Sequence, residues 1–252
     1  MNLELEGKKI LVTGGSKGIG KAIAKAFLAE GAEVGIAAST EASLSKAAEE
    51  LGDAARFQGD LTKEADREQV FRGFTDRFGR IDILVNNVGG SNGSTVMETS
   101  LAEFQEALDL NFMSAVHFSQ LAAGRMKESG GGAIVNISSI FGRESGGKPT
   151  YNSAKSAMIS FTKAFADEMI KDGIRVNGVA PGAILHPTGN WQKKLDADPE
   201  KIEAYVEAEI PAGRFGTVEE VADVAVFLAS ERARWVSGAT LNVDGGQSRM
   251  NF

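Results

Sequence analysis

Short apolar runs alternate, along nearly the whole chain, with longer stretches whose apolar positions recur every three or four residues. The first run, Lys8 to Thr13 (KKILVT), predicts a strand, and Gly18 to Glu30, with Ile19, Ile23, Phe27 and Leu28 at helical spacing, predicts a helix. The pattern continues with Glu33–Ala38 as a strand, Glu41–Leu51 as a helix and Ala54–Gln58 as a third strand. Lys63–Phe78 follows as an amphipathic helix carrying Val70, Phe71, Phe74 and Phe78, then Ile81 to Asn86 (IDILVN) as a fourth strand. Ser100 to Met126 reads as one helix with Leu101, Phe104, Leu108, Ala115 and Phe118 on a stripe; Asn111 falls within it, and His117 lies off it, towards solvent. Ala133–Ile137 is a fifth strand, and the helix that contains Tyr151 runs to about Lys171 through Met158, Phe161, Phe165 and Met169. Ile174 to Ala180 is a sixth strand, ended by Pro181-Gly182. Ala183 to Ile210 is polar with short helical patterns. Thr217-Val218-Glu219-Glu220 is a capping box opening a helix with Val221, Val224, Ala225 and Leu228 inward, and Ala239–Val243 is a last strand.

Repeated βα units of this length predict an α/β fold: a doubly wound parallel sheet of about seven strands, with right-handed crossovers and helices on both faces. Ligands of such sheets lie beyond the C-terminal strand ends, where strand order reverses, here between the first and fourth strands. Both ends are marked by glycine, in Gly14-Gly15 and in Asn86-Asn87-Val88-Gly89-Gly90. The first turn, Thr13 to Gly20, has glycines at 14, 18 and 20, a G-x-x-x-G-x-G spacing instead of the common G-x-G-x-x-G dinucleotide fingerprint. The physics carries over. Gly14 allows a tight turn, Gly18 lets backbone approach a pyrophosphate, and the helix N-terminus offers unpaired N–H groups and a partial positive charge. By position, 183–210 should cap the ligand as a mobile lid.

Composition narrows the chemistry. No Pro/Gly/Ser-rich linker divides the 252 residues, so a single domain, 1–252, is expected. With no cysteine and only His117 and His186, a thiolate or zinc centre is disfavoured and no metal is expected. The net charge of −7 repels phosphate chains, so nucleic acid is not an expected partner. No apolar run approaches the roughly 18 residues of a membrane span, and the N-terminus lacks a signal-peptide pattern; the expected place is the cytoplasm, with no membrane partner.

The stretch Ser138 to Lys155 carries the candidate chemistry. Tyr151 and Lys155, four apart on a helix, share a face, and the ammonium can lower the phenol's pKa from roughly 10 by about 1–3 units, making a general acid/base. Ser138 closes the fifth strand, where its hydroxyl can project beside the tyrosine, with a carbonyl between the two. Asn111, if buried, needs partners; a core asparagine bonded to backbone is the plain alternative.

Together these motifs resemble the short-chain dehydrogenase/reductase family, in its compact form of about 250 residues, like the 3-oxoacyl-ACP reductases. The resemblance rests on Thr13-Gly14-x-x-x-Gly18-x-Gly20, Asp60, Asn86-Asn87-x-Gly89, Asn111, Ser138, Tyr151-x-x-x-Lys155, Pro181-Gly182 and Asp244-Gly245-Gly246, in family order. It implies a Rossmann-type fold and an NAD(P)-dependent oxidoreductase interconverting a carbonyl and an alcohol. Tyr151 would give the proton to the carbonyl oxygen, Ser138 would polarise that oxygen, Lys155 would tune the tyrosine and hold the nicotinamide ribose, and Asn111 would keep a water linking Lys155 to solvent. The implied cofactor path runs over Gly14, Ser16, Lys17, Gly18, Ile19, Gly20, Ser39, Thr40, Asp60, Leu61, Asn87, Gly89, Tyr151, Lys155, Pro181, Gly182 and Ile184, with Asp60 at the adenine. A homotetramer is also implied.

Two positions depart from the family pattern. Val88 replaces an alanine beside the cofactor path, and His186 stands where a threonine usually contacts the nicotinamide amide, with Thr188 following; which of the two takes that role is open. An acid normally ends strand two in NAD-preferring members. Here that residue is Ala38, with Ser39, Thr40 and Lys17 available to a 2′-phosphate, so NADP(H) is expected over NAD(H). The alternative is an NAD-dependent dehydrogenase of a sugar, polyol or other hydroxy compound. The expected substrate pocket includes Arg143, Glu144, His186 and Trp191, with Ser138 and Tyr151, which favours a small polar ketone, a sugar or a 3-oxoacyl thioester; Arg143 and Glu144 could instead merely pair at the surface. A serine hydrolase, from G-x-S-x-G around Ser16 or Ser91, and a non-catalytic nucleotide-binding regulator are the remaining alternatives.

Overall fold

The computed structural model describes residues 2–251. Its elements are β1 (Lys9–Thr13), α1 (Gly18–Ala29), β2 (Glu33–Ala38), α2 (Glu41–Leu51), β3 (Ala55–Gln58), α3 (Glu64–Phe78), β4 (Ile83–Asn86), α4 (Leu101–Leu108), α5 (Ser114–Glu128), β5 (Gly132–Ile137), α6 (Pro149–Met169), β6 (Ile174–Pro181), α7 (Asn190–Ala197), α8 (Pro199–Glu209), α9 (Val218–Ala229) and β7 (Thr240–Val243). The strands form one parallel sheet in the order β3-β2-β1-β4-β5-β6-β7. The order reverses between β1 and β4, as the repeated βα pattern predicts.

The continuous apolar runs follow from burial on both faces. Ile10 and Val12 of β1 pack with α1, α2 and α9, where Ile23, Phe27, Leu44 and Val221 are fully buried. Leu11, between them, points the other way, to Phe74 of α3, Phe118 of α5 and Phe165 of α6. Each fully buried side chain of this size contributes about 1.5–3 kcal/mol of transfer free energy, so a one-residue register slip is strongly opposed. The capping box of α9 forms as expected, with Thr217 accepting from the Glu220 N–H and Glu220 returning to the Thr217 N–H.

Three features differ from the sequence pattern. The stretch 100–126 is not one regular helix: a π-helical turn at Asp109–Met113 separates α4 from α5. This turn brings Asn111 inward, and its side chain takes the Ala107 carbonyl that a regular helix would give to backbone. In α4, Leu101 is 87% exposed and Ala107 is buried instead. Secondly, His117 does not face solvent; it is half-buried, and its Nδ1 accepts from Arg67 Nε at 3.0 Å. Thirdly, the segment after Pro181 has an apolar centre of its own. Trp191 of α7 stacks on Tyr205 of α8 with ring centroids 4.7 Å apart and lies 5.3 Å from Phe215, above buried Ile202. Among the described residues, no helix is long and apolar enough to cross a membrane.

Candidate active site

The C-terminal ends of β1 and β4 are joined side by side. Thr13 Oγ1 accepts from the backbone N–H groups of Asn87 (3.0 Å) and Val88 (3.2 Å). The Asn87 amide in turn donates to the carbonyls of Thr13 (3.0 Å) and Gly14 (3.1 Å). Asn87 was expected on the cofactor path; its side chain instead fastens the two lips of the crevice. Val88 does not crowd the crevice either, because its side chain packs into the core beside α3 and α5.

Between these lips lies a cradle that fits a dinucleotide. Gly14 and Gly18 have φ of +64° and +50°, a backbone region in which a Cβ is strained. A side chain at Gly20 would collide with the Asn87 amide and the Gly14 carbonyl, so glycine there seats α1 against the strand ends. Lys17, the N-cap of α1, offers no side-chain cap, and the N–H groups of Gly18, Ile19 and Gly20 find no acceptor among the described residues. Unpaired donors at the positive end of a helix suit phosphate oxygens. Gly18 is not bare, however. The His186 imidazole lies so close that a Cβ at Gly18 would stand 2.9 Å from its Cε1.

The other expected cofactor residues are placed more variously. Ser39 is exposed and its hydroxyl has no protein partner, whereas the Thr40 hydroxyl caps α2, accepting from the Ser43 N–H. Asp60 turns its carboxylate onto Thr62, which holds its pKa below the usual range, and Leu61 is buried with its carbonyl accepting from Arg67. Pro181 ends β6, and Gly182 packs against Asp244 and Gln247, so the terminal Asp-Gly-Gly turn is part of the same wall. The Ile184 side chain is buried in the core, which leaves only its backbone for a ligand. Ser16 is half-buried and Lys17 exposed beside the glycine turn.

Tyr151 and Lys155 share a face of α6, with Lys155 Nζ 5.5 Å from the centre of the Tyr151 ring. Lys155 is buried, donates to the Ile137 carbonyl at 2.8 Å, and is lowered to about 8 by burial. The serine beside the tyrosine is not the one expected. Ser138 Oγ donates to the Lys155 carbonyl at 3.1 Å and so faces the α6 backbone. Its neighbour Ser139 is the serine whose side chain acts on the Tyr151 phenol, favouring its ionised form. The chain leaves the strand at this point, and Ser139 caps the short 3₁₀ turn Ile140–Gly142, accepting from the Phe141 N–H at 3.2 Å. The expected lowering of the Tyr151 pKa is also reversed. Burial is the largest influence and raises it above 10, with the Ser139 bond lowering it in part.

Asn111 is fully buried, and all its polar atoms are engaged: Oδ1 accepts from the Gly90 N–H (3.0 Å), and Nδ2 donates to the carbonyls of Gly90 and Ala107 (both 2.9 Å). It nevertheless borders Lys155, since a Cβ at Gly89 would lie 2.7 Å from Asn111 Oδ1 and 3.3 Å from Lys155 Nζ. Below the site runs a buried chain that sequence reasoning missed: Asn86 donates to Asn136 (2.9 Å), and Asn136 donates to Thr162 of α6 (2.9 Å). It ties β4, β5 and α6 together under Tyr151.

Of the expected substrate residues, Arg143 and Glu144 neither pair with one another nor lie free. Arg143 donates to the Thr240 carbonyl of β7, and Glu144 accepts from the Arg249 N–H, fixing the C-terminal segment. Trp191 is held in the stack of α7 and α8, under Lys194. A cavity of about 600 Å³ opens between α7, α8 and residues 213–217, lined by Leu185, Leu195, Ile202, Val206 and Phe215; none of the residues around Tyr151 lines it.

Comparison with known proteins decides the family. A family model described as Enoyl-(Acyl carrier protein) reductase matches residues 14–248. The 3-oxoacyl-[acyl-carrier-protein] reductase of Vibrio cholerae is 36% identical over 246 residues, covering 97% of this chain and 98% of the relative. The chain belongs to the short-chain dehydrogenase/reductase family. As a short-chain dehydrogenase/reductase it is an NAD(P)-dependent oxidoreductase of carbonyl and alcohol groups. The 7alpha-hydroxysteroid dehydrogenase of Escherichia coli K12 is also 36% identical, over 250 residues and 97% of this chain and 96% of the relative. Among solved structures, L-sorbose reductase from Gluconobacter frateurii, complexed with NADPH and L-sorbose, matches at 34% identity and a TM-score of 0.94, over 99% of this chain and all of that one. A 7alpha-hydroxysteroid dehydrogenase complexed with NADH and 7-oxo glycochenodeoxycholic acid matches at 34% identity and a TM-score of 0.90, over 99% of this chain and 97% of the other. Family membership displaces both the hydrolase and the non-catalytic regulator.

Proposed function

We propose that this protein reduces a small polar ketone with NADPH, using Tyr151 as the general acid. The observation that carries this reading is the setting of Tyr151, buried beside Ser139 and with Lys155 Nζ, one helical turn on, 5.5 Å from its ring centre. A bound nicotinamide supplies the hydride. The residues of the chain then have to hold the carbonyl, polarise it and deliver a proton.

Ser139 donates to the carbonyl oxygen, the part first given to Ser138. Tyr151 keeps its proton through neutral pH, because burial raises its pKa, and the proton passes to the oxygen as negative charge develops there. Lys155, close to 8, carries its charge through most of the neutral range and steadies the phenolate left behind. Asn111 shapes the wall at Gly89 next to Lys155 and orders a water through which the tyrosine recovers its proton. The lid of α7 and α8 excludes bulk water while this happens.

The cofactor reading rests on charge. No carboxylate ends β2, where Ala38 stands, and exposed Ser39 and Lys17 are available to a 2′-phosphate. L-sorbose reductase, crystallised with NADPH and L-sorbose, makes a ketose the first substrate to try. A cytoplasmic homotetramer belongs to the same reading; the 98% exposed Trp235, which precedes edge strand β7 in sequence, is an apolar group such an assembly could cover, and light scattering gives the assembly directly.

The test is a panel of ketoses, keto acids and 3-oxoacyl thioesters followed by nicotinamide absorbance, run beside Tyr151→Phe. Turnover in that variant near wild type removes the assignment of the acid.

A further inference from the structure

The His186 imidazole sits in a slot formed by two glycines. On one side is Gly18 in the first turn of α1; on the other is Gly189, the N-cap of α7. A Cβ at Gly189 would stand 2.8 Å from His186 Nε2, and one at Gly18 would stand 3.0 Å from the same atom. The ring therefore fits only because both positions lack a side chain. Its Nδ1 lies 3.3 Å from Thr188 Oγ1, and the Gly189 N–H donates to the His186 carbonyl at 2.9 Å, so the segment turns around the ring. Nε2 has no hydrogen-bond partner among the described residues and lies against the helix end that carries the three unpaired N–H groups of Gly18, Ile19 and Gly20.

We propose that His186 binds the diphosphate of the dinucleotide through Nε2, completing a four-donor site with the first turn of α1 and tying the lid to the cofactor. The inference rests on the dinucleotide reading of the glycine turn. It answers a question that the sequence leaves open: His186, not Thr188, reaches the cofactor, and it does so at the diphosphate; Thr188 orients the ring.

The charge balance around the ring is simple. On the α1 side the nearest ionisable residue in sequence is Lys17. On the α7 side Asn190 and Trp191, next after Gly189, carry no charge. Burial alone lowers the imidazole pKa, with no carboxylate acting on it. The empty-handed ring is therefore neutral at neutral pH, and an arriving diphosphate favours the imidazolium. The pKa in the complex then exceeds that of the free protein, so binding takes up a proton, and affinity is highest on the acid side and falls as pH rises through the bound-state value.

The test uses ADP-ribose, which has the diphosphate but no 2′-phosphate titrating in the same range. Isothermal titration of the whole protein in buffers of different ionisation heat reports both affinity and protons taken up. Wild type should lose about tenfold in affinity between about pH 6 and pH 8.5 and take up a fraction of a proton near neutrality. His186→Gln should bind ADP-ribose more weakly at acid pH, with a flat pH profile and no proton uptake, while adenosine binding is unchanged. A pH profile and proton count equal in wild type and variant overturn the role of His186, as does an equal loss for adenosine. ADP-ribose failing to bind wild type at any pH overturns the dinucleotide site and this inference together.

Discussion

The Ser138 hydroxyl donates to the backbone carbonyl of Lys155, so the adjacent serine, Ser139, is the one that meets Tyr151. The two positions are predicted to separate in mutants. Ser139→Ala should lower kcat by about 10²–10³, the usual cost of losing one donor to a developing oxyanion. Ser138→Ala removes a buried hydrogen bond and should lower stability by about 1 kcal/mol with a much smaller effect on kcat. Turnover and thermal denaturation of both variants check this; the opposite ranking returns the role to Ser138.

As the proposed general acid, Tyr151 should set the pH dependence. Its raised pKa keeps the phenol protonated at neutral pH, the form that donates. Reduction should therefore be level through neutrality and decline in alkali, whereas oxidation of the alcohol should accelerate as pH rises. Tyr151→Phe should lower both by about 10²–10⁴, the usual contribution of general acid/base catalysis.

Lys155 makes a separate prediction about stability. Its folded pKa is about 8, against 10.5 for a free lysine side chain, so between those values the unfolded chain binds the proton that the folded chain lacks. Stability from this group accordingly rises with pH from about 8, by up to about 3 kcal/mol in total. Above about pH 10 the raised Tyr151 works the other way, because the folded state then holds the extra proton. Denaturant titrations from about pH 7 to 10 should show a rise in wild type that Lys155→Met lacks.

Gly14→Ala tests the crevice. The left-handed backbone alone costs about 1–2 kcal/mol, and the new methyl would lie 2.9 Å from the Asn87 amide and from Val88 Cα. Melting temperature and ADP-ribose affinity should fall together in this variant.

Ala38→Asp tests cofactor choice. Wild type should favour NADPH, and the carboxylate should shift the kcat/KM ratio towards NADH by at least about tenfold, through repulsion of the 2′-phosphate and a bond to the free ribose. A wild-type ratio of about ten in favour of NADH refutes the assignment to NADPH.

Much of the fold is legible in the sequence because strand and helix ends carry local signals. β2 and α2 begin and end where the apolar run and the helical pattern place them, with Thr40 as the cap between them. The π-helical turn is not legible, since the Asn111 side chain is held there by Gly90, a partner that the fold brings to it, as well as by nearby Ala107. Nor is the choice between Ser138 and Ser139. Two adjacent hydroxyls at a strand end look alike, and which one turns to the tyrosine is set by the 3₁₀ turn that follows. The contact of His186 with Gly18 spans most of the chain and leaves no local trace, although the glycine at 189 could have hinted at a ring needing room.

Thr13 and Asn87 also bear on kinetics. Because one hydroxyl and one carboxamide stitch β1 to β4, the slot beside them takes its width during folding, and a guest need not prise it apart. The ordering cost of association should then fall on the segment proposed as a lid, α7 and α8, and arrival and departure rates should follow its motion.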